Sequence, residues 1–134
     1  MRIAIASEVD ANEPRVAATP ETVKKLKSFG AEVAVARGAG IAAGIPDAEF
    51  EAAGATVGDG VEKNADVVLK VRRPAQSELA GYKKGALVVA IMDPYGNEQA
   101  LREIADAGLT AFAMACLLCH TQIHGSNFSN DLLR

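Results

Sequence analysis

Short apolar runs alternate along this chain with stretches whose apolar positions return every three or four residues. The runs predict five strands, at 2–6, 32–36, 66–71, 86–92 and 109–114, rich in Val, Ile, Leu and Ala. They lack strict polar alternation, which fits strands buried on both faces of a parallel sheet. The intervening segments carry helix signals. Thr19 can cap a helix that opens with Pro20 and Glu21, while Val23, Leu26 and Phe29 form its apolar stripe and Gly30 can take the left-handed closing position. The same grammar recurs from Asp47 to Ala53 before Gly54, and from Asn97 to Ala107 before Gly108. A βαβα rhythm of this kind predicts an α/β fold, Rossmann-like or flavodoxin-like, with about five parallel strands and helices on both faces. Right-handed crossovers would put every strand's carboxyl end on one edge.

Composition narrows the picture. The 134 residues suffice for one domain, and 49% hydrophobic with 23% charged residues is an ordinary globular mixture. No Trp, two Tyr and four Phe make the expected core fine-grained. A net charge of -3 gives no general attraction to phosphate backbones, so nucleic acid is not an expected partner. No apolar run approaches a membrane-spanning length, and the first ten residues, with two acids, do not read as a signal peptide. Direct membrane insertion is therefore not expected, and a cytoplasmic domain is.

Ligands of open parallel sheets bind beyond the carboxyl ends of the strands. Four polar candidates fall there: Arg15 in the loop after the first strand, Lys70 and Arg72 ending the third, and Asp93 after the fourth. Three cations along one edge would suit a carboxylate or phosphate, with solvated loop charge as the plain alternative. The glycines of Gly38-Ala39-Gly40-Ile41-Ala42-Ala43-Gly44 are spaced G-x-G-x-x-x-G, which suits a structural strand-to-helix loop better than a phosphate cradle. Near the C-terminus, Cys116, Cys119, His120 and His124 have the types of zinc ligands, and the first three match the C-x-x-C-H haem pattern. Four ligands within nine residues leave little chain to wrap a tetrahedron, so no metal is the expected reading.

Four ordered segments carry a family resemblance: EPRVAATPETVKKLKSFGAEVAVARGAGIAAGIPDAEFEAAGAT (13–56), DVVLKVRRP (66–74), IMDPYGN (91–97) and LTAFAM (109–114). Together they resemble the N-terminal domain shared by alanine dehydrogenases and NAD(P) transhydrogenase α subunits, over residues 1–114. Alanine dehydrogenases use an Arg, a Lys and a His of this domain to hold the pyruvate carboxylate and act on its carbonyl. Arg15 matches the first, but Arg72 stands at the Lys position and Met92-Asp93-Pro94 holds no His. A guanidinium does not exchange protons near neutral pH, so that site is incomplete.

The resemblance therefore implies the transhydrogenase branch, whose α subunit binds NAD(H) and passes hydride to NADP(H) on a partner component, coupled to proton movement. It further implies a separate NAD-binding domain, other transhydrogenase subunits and a homo-oligomer as partners, with attachment to the inner membrane only through those subunits. Residues 115–134 depart from the family, which usually continues with an E-L-x-P-R-I-x-R-A-Q-x-M-D segment that reaches the nicotinamide. The reading is thus a truncated α subunit with an atypical tail, inactive by itself and without a tightly bound cofactor. Two alternatives stand beside it: an alanine-dehydrogenase-like substrate-domain fragment, and a non-catalytic assembly or metal-binding module.

Overall fold

The computed structural model describes residues 1–114, so Cys116, Cys119, His120 and His124 lie outside the described residues. Six parallel strands form one sheet: β1 (Arg2–Ile5), β2 (Glu32–Ala36), β3 (Thr56–Gly58), β4 (Val67–Arg72), β5 (Leu87–Ile91) and β6 (Thr110–Ala113). Their order is β3-β2-β1-β4-β5-β6, which is the dinucleotide-fold order 3-2-1-4-5-6. The five-strand expectation missed β3, a three-residue edge strand that is too short to show a period. Without it the order would read as the flavodoxin type, and with it the order is the Rossmann one.

Four helices connect the strands: α1 (Pro20–Ser28), α2 (Asp47–Ala52), α3 (Gln76–Leu79) and α4 (Glu98–Asp106). Thr19 caps α1 as its sequence predicts, its hydroxyl accepting from the Thr22 amide at 3.3 Å. Val23 of α1 is fully buried, and Phe29, read as part of the apolar stripe, is instead three-quarters exposed at the C-terminal end. α1 packs on α2, and α3 on α4. Because the chain runs outward from β1 on one side and from β4 on the other, right-handed crossovers set these pairs on opposite faces.

The core is made of small residues. Ile3, Ala4, Ile5, Val33, Ala34, Val35, Val68, Val88 and Ala90 are buried across the middle strands, with Phe50 and Ile104 pressed on from α2 and α4. Burial on both faces holds for β1 and β2 and weakens outward, until β6 leaves Phe112 more than half exposed. The glycine-rich loop after β2 is structural. A Cβ on Gly40 would come within 2.6 Å of both the Ile45 carbonyl and the Phe50 ring, so glycine is what lets the loop lie on the core. The Gly38 amide is already taken by the Asp47 carboxylate, at 3.0 and 3.1 Å.

Candidate active site at the strand crossover

The chain reverses its direction of travel across the sheet between β1 and β4, the place where ligands enter folds of this type. Here the two neighbours are unequal. Pairing of β1 with β4 stops at Ile5 and Leu69, with one further bond from the Ala6 amide to the Leu69 carbonyl at 3.1 Å, while β4 continues to Arg72 alongside β5. The last residues of β4 therefore have no strand on the β1 side. Glu8, in the loop after β1, fills that place with a side chain. Its carboxylate accepts the Val71 amide at 2.7 Å and the Arg72 amide at 3.2 Å, beside an irregularity in the β4 register.

Beyond this step opens a crevice of about 430 Å³. Lys70, Arg72 and Arg73 line it, but so do Glu8, Asp10, Glu78 and Asp93, which leaves the lining with one acid in excess. Beside the cations and Asp93 named from the sequence stand Glu8, Asp10 and Glu78, so the acids come from three different connections and meet only in the folded chain.

Each cation has a partner. Lys70 is buried on the crevice floor, its Nζ 2.6 Å from Glu78 Oε1 and 3.3 Å from the Ser7 carbonyl. Glu78 in turn accepts the Ala75 amide at 2.7 Å, which opens α3, and a longer bond from the Tyr82 hydroxyl at 3.4 Å. Burial, with the Glu78 charge adding to it, pushes the Tyr82 hydroxyl well above its ordinary value. Arg73 donates to the Met92 carbonyl at 2.7 Å and to Asn97 Oδ1 at 3.3 Å.

Arg72 and Arg15 meet on Glu13. This carboxylate is nearly inaccessible, yet it receives both Nε and Nη2 of Arg15 at 2.7 Å and Nε of Arg72 at 2.9 Å. The Arg15 fork holds the Glu13 carboxyl down at about 2, overcoming the opposing effect of burial, with Arg72 adding to it. Arg15 thus stands behind Arg72 and does not line the crevice itself, whereas Lys70, Arg72 and Asp93 do. Asp93 lies across from Arg72, with Oδ2 3.9 Å from Nη1.

Sequence reasoning placed the four candidates at the right edge and missed Glu8, Glu13, Glu78 and Arg73. Only two of these had a local signal: Glu13 stands two residues before Arg15 across Pro14, and Glu78 three after Ala75, the position of a carboxylate that reaches back to a helix start. Among the described residues no group of His, Cys, Asp and Glu is arranged to hold a metal ion, and no helix is long and apolar enough to cross a membrane.

Comparison with known proteins fits this geometry. The family described as alanine dehydrogenase/PNT, N-terminal domain, matches residues 4–124. The first portion of the divided NAD(P) transhydrogenase subunit alpha of Rhodospirillum rubrum is 39% identical over 122 residues, covering 85% of this chain and 32% of its own length. The alanine dehydrogenase of Halomonas elongata is 35% identical over 116 residues, covering 84% and 31%. Among solved structures, the transhydrogenase from Sinorhizobium meliloti superposes with a TM-score of 0.83 at 57% identity, over 84% of this chain and 34% of that one. The chain spans about a third of the length of these relatives. By sequence profile and by fold it belongs to the alanine dehydrogenase/PNT N-terminal domain family.

Proposed function

We propose that this chain forms the N-terminal domain of the NAD(H)-binding α subunit of a proton-translocating NAD(P) transhydrogenase, where it supplies one wall of the cleft in which hydride leaves NADH for NADP+. The observation that carries this reading is the 57% identity to the Sinorhizobium meliloti transhydrogenase over 84% of this chain. The crevice chemistry agrees. Acting on a keto acid calls for a cation free to take its carboxylate and a group that exchanges a proton with its carbonyl. Arg72 is engaged by Glu13 and faces Asp93, and Lys70 is tied to Glu78, so among the described residues of the crevice neither duty has an open candidate. Hydride transfer between nicotinamides asks less of this wall, since the cofactors carry the chemistry and the protein orients them and excludes water.

On this reading Arg15, Lys70, Arg72 and Asp93 shape the cofactor-facing side. NAD(H) is held mainly by a separate nucleotide-binding domain, and NADP(H) by a partner subunit. The chain alone binds no dinucleotide tightly and turns nothing over. Partner surfaces are at hand near the carboxyl edge of the sheet, where Val9, Tyr95 and Met114 are more than half exposed.

Domain exchange tests the proposal. Residues 1–114 would replace the corresponding segment in a transhydrogenase α subunit and, separately, in an alanine dehydrogenase. The expected outcome is NADH-dependent reduction of an NADP+ analogue within about tenfold of the parent in the first chimaera, and loss of alanine oxidation in the second. A folded second chimaera that oxidises alanine while the first is inert would assign the domain to the dehydrogenase branch.

A further inference from the structure

We propose that Asp93 is a specificity-determining residue that closes the crevice to small carboxylates by occupying the outward side of Arg72. The inference rests on the reading above in one respect, that the crevice is where a ligand meets this domain.

Arg72 is the cation best placed to greet an anion, because it lines the crevice and its side chain is half exposed. Glu13 engages its Nε, and the terminal nitrogens are the donors a carboxylate would use for a paired contact. Asp93 stands in front of them, its Oδ2 3.9 Å from Nη1. A carboxylate entering from solvent would have to displace Asp93 and lie against it, like charge beside like charge, in a lining that is already acidic in excess.

The Asp93 backbone is held in place. It precedes Pro94, which narrows its backbone choices, and it has a φ of 43°, the one positive φ outside glycine among the described residues. Asp visits that conformation more readily than most L-residues, and contacts around the loop can fix it there. Such contacts are visible: Asn97 Nδ2 donates to the Asp93 carbonyl at 2.9 Å, and Arg73 ties both Asn97 Oδ1 and the neighbouring Met92 carbonyl. Arg73 is thus a positioning residue that acts through the loop backbone. What remains admissible is an uncharged group that offers donors to Asp93 and an acceptor to Arg72, such as a carboxamide or a sugar hydroxyl.

The test is a pyruvate titration of the full 134-residue chain, followed by amide and Arg side-chain NMR, in the wild type and three variants. Asp93→Asn keeps the shape and suits a positive φ, and Asp93→Gly adopts that φ without strain, so both should fold. Asp10→Asn removes an equal charge from the same lining without touching Arg72. The gate predicts pyruvate affinity at least roughly tenfold higher in both Asp93 variants than in the wild type, centred on the Arg72 resonances, and an Asp10→Asn gain well below that. Equal gains at Asp10 and Asp93 would mean general charge rather than a gate, and no gain in either folded Asp93 variant, or wild-type binding as strong as theirs, would overturn it. If the transhydrogenase chimaera is active while the Asp93 variants ignore pyruvate, the gate fails alone. If the chimaera is inert and the Asp93 variants gain pyruvate as predicted, the gate stands and the proposed function fails.

Discussion

At the scale of single residues, Glu13 is the acid on which the rim of the crevice turns. It is buried, and its charge is matched by two guanidinium groups, one near in sequence and one 59 residues away. Its folded value of about 2, against an ordinary 4.5, fixes the sign of its effect. A carboxyl whose value falls on folding contributes stability that is fully present above the unfolded value and is lost as pH drops through the folded one. The thermal stability of the wild type should therefore fall as pH drops from about 4.5 to about 2. Glu13→Gln should be less stable at pH 7 and show a flatter acid limb in that window. A limb as steep as the wild type's would place the acid sensitivity elsewhere. Little of this was legible beforehand. Arg15 and Arg72 could be assigned to one edge from right-handed crossovers alone, whereas the reach of Arg72 to Glu13, 59 residues away, has no local signature. Of the acids that fold against these cations, only Asp93 was legible.

At the scale of elements, β4 is the informative one. Its period and its Val-rich sequence identify it readily, and α1 is equally plain from Thr19, Pro20 and Gly30. The three residues of β3 and the single turn of α3 are set largely by what they lie against, and neither was anticipated from the pattern of apolar positions. The end of β4 shows a different limit. Val71 and Arg72 look like continuing strand, yet their amides are satisfied by Glu8 rather than by β1. Glu8→Ala should leave two amides without their acceptor and cost about 1–3 kcal/mol. Hydrogen exchange would localise the effect, with faster exchange at Val71 and Arg72 and little change at Val67 or Val68. Uniform acceleration along β4 would show that Glu8 supports the whole strand.

At the scale of the whole molecule, the sheet has a well-covered middle and lightly covered margins. Phe112 and Met114 on and beyond β6 are more than half exposed, as is Val9 beside the crevice. Phe112 and Met114 stand close together at the β6 margin, and exposed apolar side chains there favour contact with another surface. The isolated chain should therefore self-associate, with an apparent mass in size-exclusion runs that falls on dilution through the micromolar range. A monomer at every concentration would count against a homo-oligomer built through this margin. Fold order was readable at this scale because alternating strand and helix leaves few topologies open. The exact edge was not, since β3 contributes three residues and decides between two orders.

The early stop of β1 beside a longer β4 has a consequence for how such a domain can change. The opening is a notch cut by one strand being shorter than its neighbour, so its depth is set by the 6–19 connection and not by the buried residues beneath it. Substitutions in that connection can refit the mouth to a new guest while the buried strand residues Ile3, Ala4 and Ile5 stay as they are. One scaffold can in this way serve different chemistries with its foundations untouched.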